Sequence, residues 1–196
     1  FEPDALDTRG SRALLVQADG GLLVGGDFVT VGGALQRGLV RFDEEGLRER
    51  PLLSTSSVAG IAYALALDTR KRPVLAGGFN RVNAEVRASL ARWSRDGVLD
   101  PSFGVASGLT RSGSFAEAFV QWLDYDGSTL LGGNFTRAGA LTREGFVRMD
   151  ANSTVLAPFA SILGGGTTEM LGLSRDPQGR WLAYGQFTSI NGVGRP

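Results

Sequence analysis

The 196-residue chain contains no cysteine and no histidine. Without cysteine it cannot form a disulfide framework, a thiolate nucleophile or a zinc–thiolate site. Without histidine it lacks the commonest metal ligand and general base, so serine, threonine or tyrosine nucleophiles would have no histidine to activate them. These absences exclude most hydrolase chemistry. We therefore predict no enzymatic activity, no catalytic residue, no metal site and no cofactor.

The chain also lacks an excess of charge of either sign and a long apolar run. Basic and acidic residues number 20 each, which gives a net charge of zero. Such a chain has no overall field that would draw it to nucleic acid or to an anionic membrane. No apolar run approaches the roughly 18 residues that a membrane-spanning helix needs. We therefore expect neither a nucleic-acid partner nor a membrane span.

Glycine is abundant, with 29 residues, and it recurs in register. A short apolar segment followed by glycine, one further residue and phenylalanine occurs four times. The phenylalanines of successive copies are 51, 56 and 52 residues apart. The four copies end at Phe28, Phe79, Phe135 and Phe187. Thirteen residues after the first three of these lies an arginine between apolar residues, namely Arg41, Arg92 and Arg148. The chain is therefore a repeat protein, with approximate repeats at 12–60, 61–117, 118–168 and 169–196, the last of them incomplete.

Each repeat predicts two β-hairpins. The first is clearest in repeat 1, where residues 13–17 and 22–26 are apolar and residues 18–21 form a polar turn. The turns contain the aspartate, glycine and proline that tight reversals favour. No stretch shows sustained 3.6-residue apolar spacing, so helix should be scarce. Four short strands in about 50 residues are the content of one propeller blade. The predicted fold class is therefore all-β, with β-propeller blades of four antiparallel strands.

Three motifs relate the repeats to a known family: Gly25-Gly-Asp-Phe28, Gly132-Gly-Asn-Phe-Thr136 and Leu99-Asp-Pro-Ser-Phe103. Together they resemble the delta-60 repeat family, and the resemblance covers nearly the whole chain. One departure is in repeat 2, which lacks the aspartate before Phe79. The resemblance implies β-propeller blades in an exported bacterial protein, which would place the chain outside the cell or on the cell surface. It implies no activity, because the role of this family is largely unknown.

The number of repeats predicts a partial propeller. Three repeats have both hairpins, whereas the fourth reaches only Pro196. Closed propellers usually have about 4–8 blades. We therefore expect the chain not to close on itself. Its inter-blade surfaces should associate with a protein partner or with further repeats of the same chain, because unpaired strand edges promote association.

Residues that occur in every repeat are explained most simply by what each blade needs. We predict that Phe28, Phe79, Phe135 and Phe187 form the core between blades. The repeated arginines could join blades through carbonyl and carboxylate groups, or could face a ligand carboxylate or phosphate. Their repetition favours the structural role for Arg41, Arg92 and Arg148.

Function in repeat proteins tends to lie where one unit departs from the pattern. The interval of 56 residues owes its extra length to Gly104–Glu117, which contains Arg111, Phe115 and Glu117. We predict that these three residues contact a partner. A second candidate, Asp124-Tyr-Asp-Gly127, has the start of a calcium-binding loop. No third carboxylate follows at the required spacing, which favours a plain hairpin turn.

The sequence favours a non-catalytic scaffold or protein-interaction module and leaves two alternatives open. A glycan-binding propeller would need repeated aromatic residues on a blade face. Trp93, Trp122 and Trp181 do not lie at equivalent repeat positions, which argues against one sugar site per blade. A hydrolase propeller would need acidic residues clustered in a central channel.

Overall fold

The computed structural model describes residues 9–49, 57–104, 108–111, 114–123, 126–156, 163–165 and 169–194. These residues form 21 strands and no helix. In chain order the strands are β1 Ser11–Val16, β2 Leu22–Gly26, β3 Thr30–Val31, β4 Ala34–Leu35, β5 Leu39–Phe42, β6 Val58–Leu67, β7 Pro73–Val82, β8 Glu85–Val86, β9 Leu90–Arg92, β10 Leu109–Arg111, β11 Ser114–Phe115, β12 Ala118–Leu123, β13 Thr129–Gly133, β14 Arg137–Ala138, β15 Leu141–Thr142, β16 Phe146–Met149, β17 Leu163–Gly164, β18 Glu169–Arg175, β19 Trp181–Gln186, β20 Ser189–Ile190 and β21 Val193–Gly194. The all-β prediction is confirmed.

The longer strands form one antiparallel sheet in each repeat, and we number these sheets as units 1 to 4. Each unit includes the segment that leads into its first strand, so that β10 and β11 belong to unit 3 and β17 belongs to unit 4. In units 1 to 3 a middle strand pairs with a first strand on one edge and a third strand on the other, in the orders β1-β2-β5, β6-β7-β9 and β12-β13-β16. In unit 4 the first strand β18 pairs with the middle strand β19. Strand β6 spans the predicted boundary between residues 60 and 61.

The fourth strand of each of the first three blades is very short. In units 1 to 3 it is a single bridge, from Phe42 to Arg48, from Trp93 to Leu99 and from Met149 to Val155. The turn before each bridge is closed by a polar side chain, for example Asp43, whose Oδ1 accepts a hydrogen bond of 2.8 Å from the Leu47 amide. After this turn the chain returns beside the third strand and forms one bridge with it.

A short hairpin arm follows each middle strand, at residues 30–35, 81–86, 137–142 and 189–194. In units 3 and 4 the segment before the first strand pairs with this arm, β10 with β14 and β17 with β20. In unit 2 the start of β6 pairs with the end of β7 in the same way. The arm therefore holds the chain that connects one unit to the next.

The sheets pack face to face in chain order. Because alternate residues of a strand face opposite sides, Leu75 of β7 lies in one core cluster with Leu23 of unit 1, while Val74 lies in another with Leu131 of unit 3. Phe79 and Phe135 are buried in these two inter-unit clusters, and Phe187 packs against residues of unit 3. Phe28 differs from them, because the described residues of its core cluster all belong to unit 1. No helix in the described part of the chain is long and apolar enough to cross a membrane.

Candidate functional site

The extra residues of unit 3 fold into a hairpin that has no counterpart among the described residues of the other units. Arg111 ends β10 and Phe115 ends β11, and the two strands pair through Thr110 with Phe115 and Arg111 with Ser114. The Arg111 guanidinium donates a hydrogen bond of 3.3 Å to the Asn134 carbonyl. Glu117 lies between this hairpin and β12. Of the longer segment Gly104–Glu117, residues 105–107 and 112–113 lie outside the described residues.

Glu117 is held by Asn134 of the same unit. The Glu117 amide donates to Asn134 Oδ1 at 2.8 Å, and the Asn134 amide donates to the Glu117 carbonyl at 3.1 Å. The Asn134 side chain also donates to Glu117 Oε2 at 3.3 Å. Glu117 Oε1 accepts a hydrogen bond of 3.4 Å from the Tyr63 hydroxyl of unit 2. Among the described residues no cationic side chain pairs with this carboxylate.

Gly78 of unit 2 provides the space that the Glu117 side chain occupies. It stands directly before Phe79, at the position where the other repeats have Asp27, Asn134 and Gln186. A Cβ atom added to Gly78 would lie 2.6 Å from Glu117 Oε1 and 2.9 Å from Glu117 Cγ. The glycine that departs from the repeat in unit 2 therefore makes room for Glu117, which follows the inserted hairpin of unit 3.

A cleft of about 180 Å³ opens beside the Glu117 carboxylate. It is lined by Ala59, Gly78, Phe79, Asn80, Ala116 and Glu117. Sites for drug-sized ligands usually measure about 300–1,000 Å³. The cleft is therefore of a size for the end of one side chain rather than for a whole cofactor.

Tyr63 stands beside this cleft on the first strand of unit 2. Burial, and after it the negative charge of Glu117 and their hydrogen bond, raises the pKa of Tyr63 above its usual value. The charge of Asp27 also raises this pKa and that of Arg12 lowers it, so two acids and one base act on the hydroxyl. The Tyr63 ring meets the Phe119 ring edge to face, with centroids 5.2 Å apart. Tyr63 is therefore a protonated donor at neutral pH, next to a carboxylate and an aromatic ring.

Ser89 connects unit 2 to the inserted segment, and the sequence analysis did not identify it. It is fully buried and has a φ of +68°, whereas the equivalent residues of units 1 and 3 are glycines, Gly38 and Gly145. This φ is uncommon for a residue with a side chain. Its hydroxyl donates a hydrogen bond of 2.5 Å to the Ala116 carbonyl, next to Glu117. The sequence does contain a signal for Ser89, because units 1 and 3 have glycine at this position. An alignment of the units without gaps would have found it.

The repeated arginines lie elsewhere, on the third strands. Arg92 donates to Asp100 Oδ2 at 2.7 Å and to the Ala151 carbonyl of unit 3 at 2.6 Å, with its guanidinium 4.0 Å from the centre of the Phe103 ring. Burial alone would raise the pKa of Asp100, but hydrogen bonds from Arg92 and Ser102 lower it to about 2. Arg92 therefore joins two units through groups of the fold.

The other two repeated arginines make similar contacts within their own units. Arg41 donates to Asp19 Oδ2 at 2.7 Å and also pairs with Glu49. Arg148 donates to Asp126 Oδ2 at 2.6 Å and to Ser128 Oγ at 2.9 Å. In each case the arginine connects the third strand to the turn between the first and middle strands.

The structure describes only some of the remaining sequence candidates. Trp93 is fully buried in the cluster between units 1 and 2, where no glycan could reach it. Asp124 and Tyr125 lie outside the described residues. Within the described residues no group of three or more acidic side chains could hold a metal ion.

Comparison with known proteins agrees with this architecture. The profile of a β-propeller domain of unknown function (DUF5122) matches residues 17–47 and 74–103. These two segments cover equivalent parts of units 1 and 2. The first begins in the turn before β2, the second begins within β7, and each continues past the third strand of its unit. No curated protein matches the sequence significantly. The chain is an all-β protein built from the repeats of a β-propeller.

Proposed function

We propose that the chain is a non-catalytic β-propeller module of an exported or cell-surface bacterial protein, and that it binds a protein partner through the Glu117 cleft. The observation that carries this proposal is the cleft itself. It forms where unit 3 has its inserted hairpin and where unit 2 has Gly78 in place of a polar side chain. Functional residues of repeat proteins are expected at such departures.

The chemistry of the cleft supports recognition rather than catalysis. A nucleophile needs a base or a lowered pKa to activate it. The pKa of Tyr63 is raised instead, so its hydroxyl keeps its proton at neutral pH. The chain has no histidine or cysteine that could serve in its place.

The partner group that fits the cleft best is a lysine or arginine side chain. The Glu117 carboxylate faces a space of about 180 Å³, which suits one side-chain terminus. An ammonium or guanidinium group would pair with the carboxylate through charge-assisted hydrogen bonds. The Tyr63 hydroxyl and the Asn134 amide hold the carboxylate in place for this contact.

Peptide selection on the immobilised chain tests the proposal. We expect wild-type protein to enrich displayed peptides that share a lysine or arginine, and Gly78→Asn to lose them. Asparagine occurs at the equivalent position of unit 3 as Asn134, so the strand tolerates it, while its side chain would displace Glu117 from the cleft. Gly194→Asn is the matched control, because a Cβ at Gly194 meets nothing within 4 Å.

Three outcomes would contradict the proposal: enrichment of the same peptides by wild type and Gly78→Asn, selection without basic residues, or no selection at all. A glycan array run on the same three proteins covers the alternative function. Sugar binding by wild type and Gly194→Asn but not by Gly78→Asn would assign the cleft to a glycan. The exported location is tested separately, by fractionation of the source cells with an antibody against the chain.

A further inference from the structure

The turn between the first and middle strands departs from the repeat in unit 2, where it contains the only lysine of the chain, Lys71. Strand register aligns Lys71 with a glycine in each of the other units, namely Gly20, Gly127 and Gly179. All four residues have a positive φ, which is +60° for Lys71. A side chain costs free energy in this conformation, and residues strained in this way cluster at functional sites.

The acidic residue that this turn has in units 1 and 3 is also missing from unit 2. In those units Asp19 or Asp126 precedes the glycine and pairs with the third-strand arginine. Arg70 stands at this position in unit 2. There the third-strand Arg92 pairs with Asp100 at 2.7 Å. Unit 2 therefore keeps the ion pair of its third strand while its turn presents cations.

Arg95, in the turn after the third strand of unit 2, is held against these cations. Its Nε donates a hydrogen bond of 2.8 Å to the Arg70 carbonyl. This bond fixes the guanidinium plane and leaves both Nη nitrogens as donors. Within the residues that the structure describes, neither nitrogen has an acceptor or an acidic partner. Arg95 is therefore oriented before any ligand binds, so less side-chain entropy is lost on binding.

A cleft of about 230 Å³, which we call the basic cleft, separates this turn from the equivalent turn of unit 1. It is lined by Gln17, Ala18, Asp19, Leu67, Lys71 and Arg95. Gln17 Oε1 accepts a hydrogen bond of 2.5 Å from Arg41 Nε, which leaves the Gln17 amide nitrogen as a donor. The charge of Asp19 is matched by Arg41, at 2.7 Å. The basic cleft therefore combines three donor groups, two of them cationic, with apolar walls.

A phosphate monoester matches these donor groups in charge and in number of oxygens. It carries a charge of about −1.5 to −2 at neutral pH and three strong acceptor oxygens. Lys71 and Arg95 supply two positive charges, and the planar guanidinium fork can bind two phosphate oxygens at once. A carboxylate has one charge and two oxygens, so it would satisfy fewer of the donors. The basic cleft is smaller than the roughly 300–1,000 Å³ of sites for drug-sized ligands, which suits a phosphate group with few further atoms.

We propose that the basic cleft is a binding site for a phosphate monoester group, held by Lys71, Arg95 and the Gln17 amide. The site lies at the opposite end of the sheet from the Glu117 cleft. Leu67 pairs with Pro73 at one end of β6, whereas the Glu117 cleft is lined by Phe79, which pairs near the other end. The proposal therefore does not depend on the function assigned to the Glu117 cleft.

Methyl phosphate is the direct probe, and the amide chemical shifts of the isotope-labelled full chain are the readout. We expect saturable shifts in the three turns at residues 17–21, 68–72 and 94–97, all with one dissociation constant. Dimethyl phosphate and acetate carry a single charge each and should bind about tenfold more weakly or less, because they make fewer charge-assisted hydrogen bonds. No saturable shifts, or equal affinity for acetate, would overturn the proposal.

Variants of the protein locate the site. Lys71→Gly restores the residue of the other three units and should weaken methyl phosphate binding about tenfold. Its melting temperature should not fall, because glycine adopts this φ without strain. Arg95→Gln should weaken binding by a similar factor. Arg81→Gln is the matched control, because it removes an exposed arginine near the far end of β7. Unchanged affinity in either cleft variant, or an equal loss in the control, would overturn the proposal.

Two larger esters distinguish the sources of the phosphate group. Glycerol phosphate carries it on a polyol, and acetylated phosphoserine amide carries it on a peptide unit. We expect one of them to bind at least as tightly as methyl phosphate, which would identify the ligand as a polyol phosphate or as a phosphorylated polypeptide. Weaker binding of both esters than of methyl phosphate would overturn the assignment to a phosphate monoester of a larger molecule.

Discussion

Units 3 and 4 share a repeat pattern but differ in how deeply their middle strands are buried. Phe135 of unit 3 is fully buried among residues of units 2 and 3, whereas Phe187 of unit 4 is only partly buried. Both follow the same kind of apolar hairpin. The difference shows that the local pattern is sufficient to form the hairpin. The buried middle strands of units 1 to 3 each pair with a third strand, β5, β9 or β16.

The largest effect should come from truncating the two phenylalanines. We expect Phe135→Ala to lower the free energy of unfolding by about 3–5 kcal/mol, because it leaves a cavity in a packed core. Phe187→Ala should cost about 1–2 kcal/mol, since less of its surface leaves water on folding. Urea denaturation of both variants measures the comparison. Equal losses would mean that unit 4 is as well packed as unit 3.

Arg92, which joins unit 2 to unit 3, and Arg180 of unit 4 should differ by a smaller amount of unfolding free energy. Arg92→Ala leaves Asp100 and the Ala151 carbonyl without their partner. We expect it to lower the free energy of unfolding by about 1–3 kcal/mol. Arg180→Ala should cost less than about 1 kcal/mol, because the Arg180 side chain is 76% exposed and surface ion pairs contribute little. Thermal unfolding of both variants measures the difference. The same loss of unfolding free energy in both, or an unchanged melting temperature for Arg92→Ala, would contradict this prediction.

The smallest of the three effects is the pH dependence that Asp100 contributes. Its folded-state pKa is about 2, below the usual value of an aspartate in an unfolded chain. The ionised carboxylate therefore stabilises the fold above about pH 4, and this contribution is lost as the pH falls towards 2. After allowance for solvent screening we expect about 1–2 kcal/mol. The unfolding free energies of wild type and Asp100→Asn should converge between pH 5 and pH 2, and a constant difference would contradict the assignment.

Much of the fold could be predicted from the sequence because hairpins are local. The turn residues and the spacing of Phe28, Phe79 and Phe135 mark the strands of each unit. The length of the fourth strand could not be predicted, because the residues after each turn can pair without continuing a ladder. Only the position of the bridge, such as Trp93 with Leu99, shows how short it is.

The candidate site was only partly predictable. The length of the interval drew attention to Arg111, Phe115 and Glu117, which the structure places in or next to one hairpin. Tyr63 and Gly78 could not be chosen in the same way, because their importance comes from contact with Glu117 of the next unit. Such contacts depend on how adjacent sheets pack, which repeat spacing does not encode.

Hydrogen exchange measured amide by amide tests most directly the claim that third-strand pairing separates units 3 and 4. Amides exchange slowly when they are held in hydrogen bonds that only global unfolding breaks. In the isolated chain, amides on both edges of β13 should be protected to a similar degree. In β19 the amides that face β18 should be protected and those on the opposite edge should exchange rapidly. Protection of both edges of β19 equal to that of β13 would contradict the account.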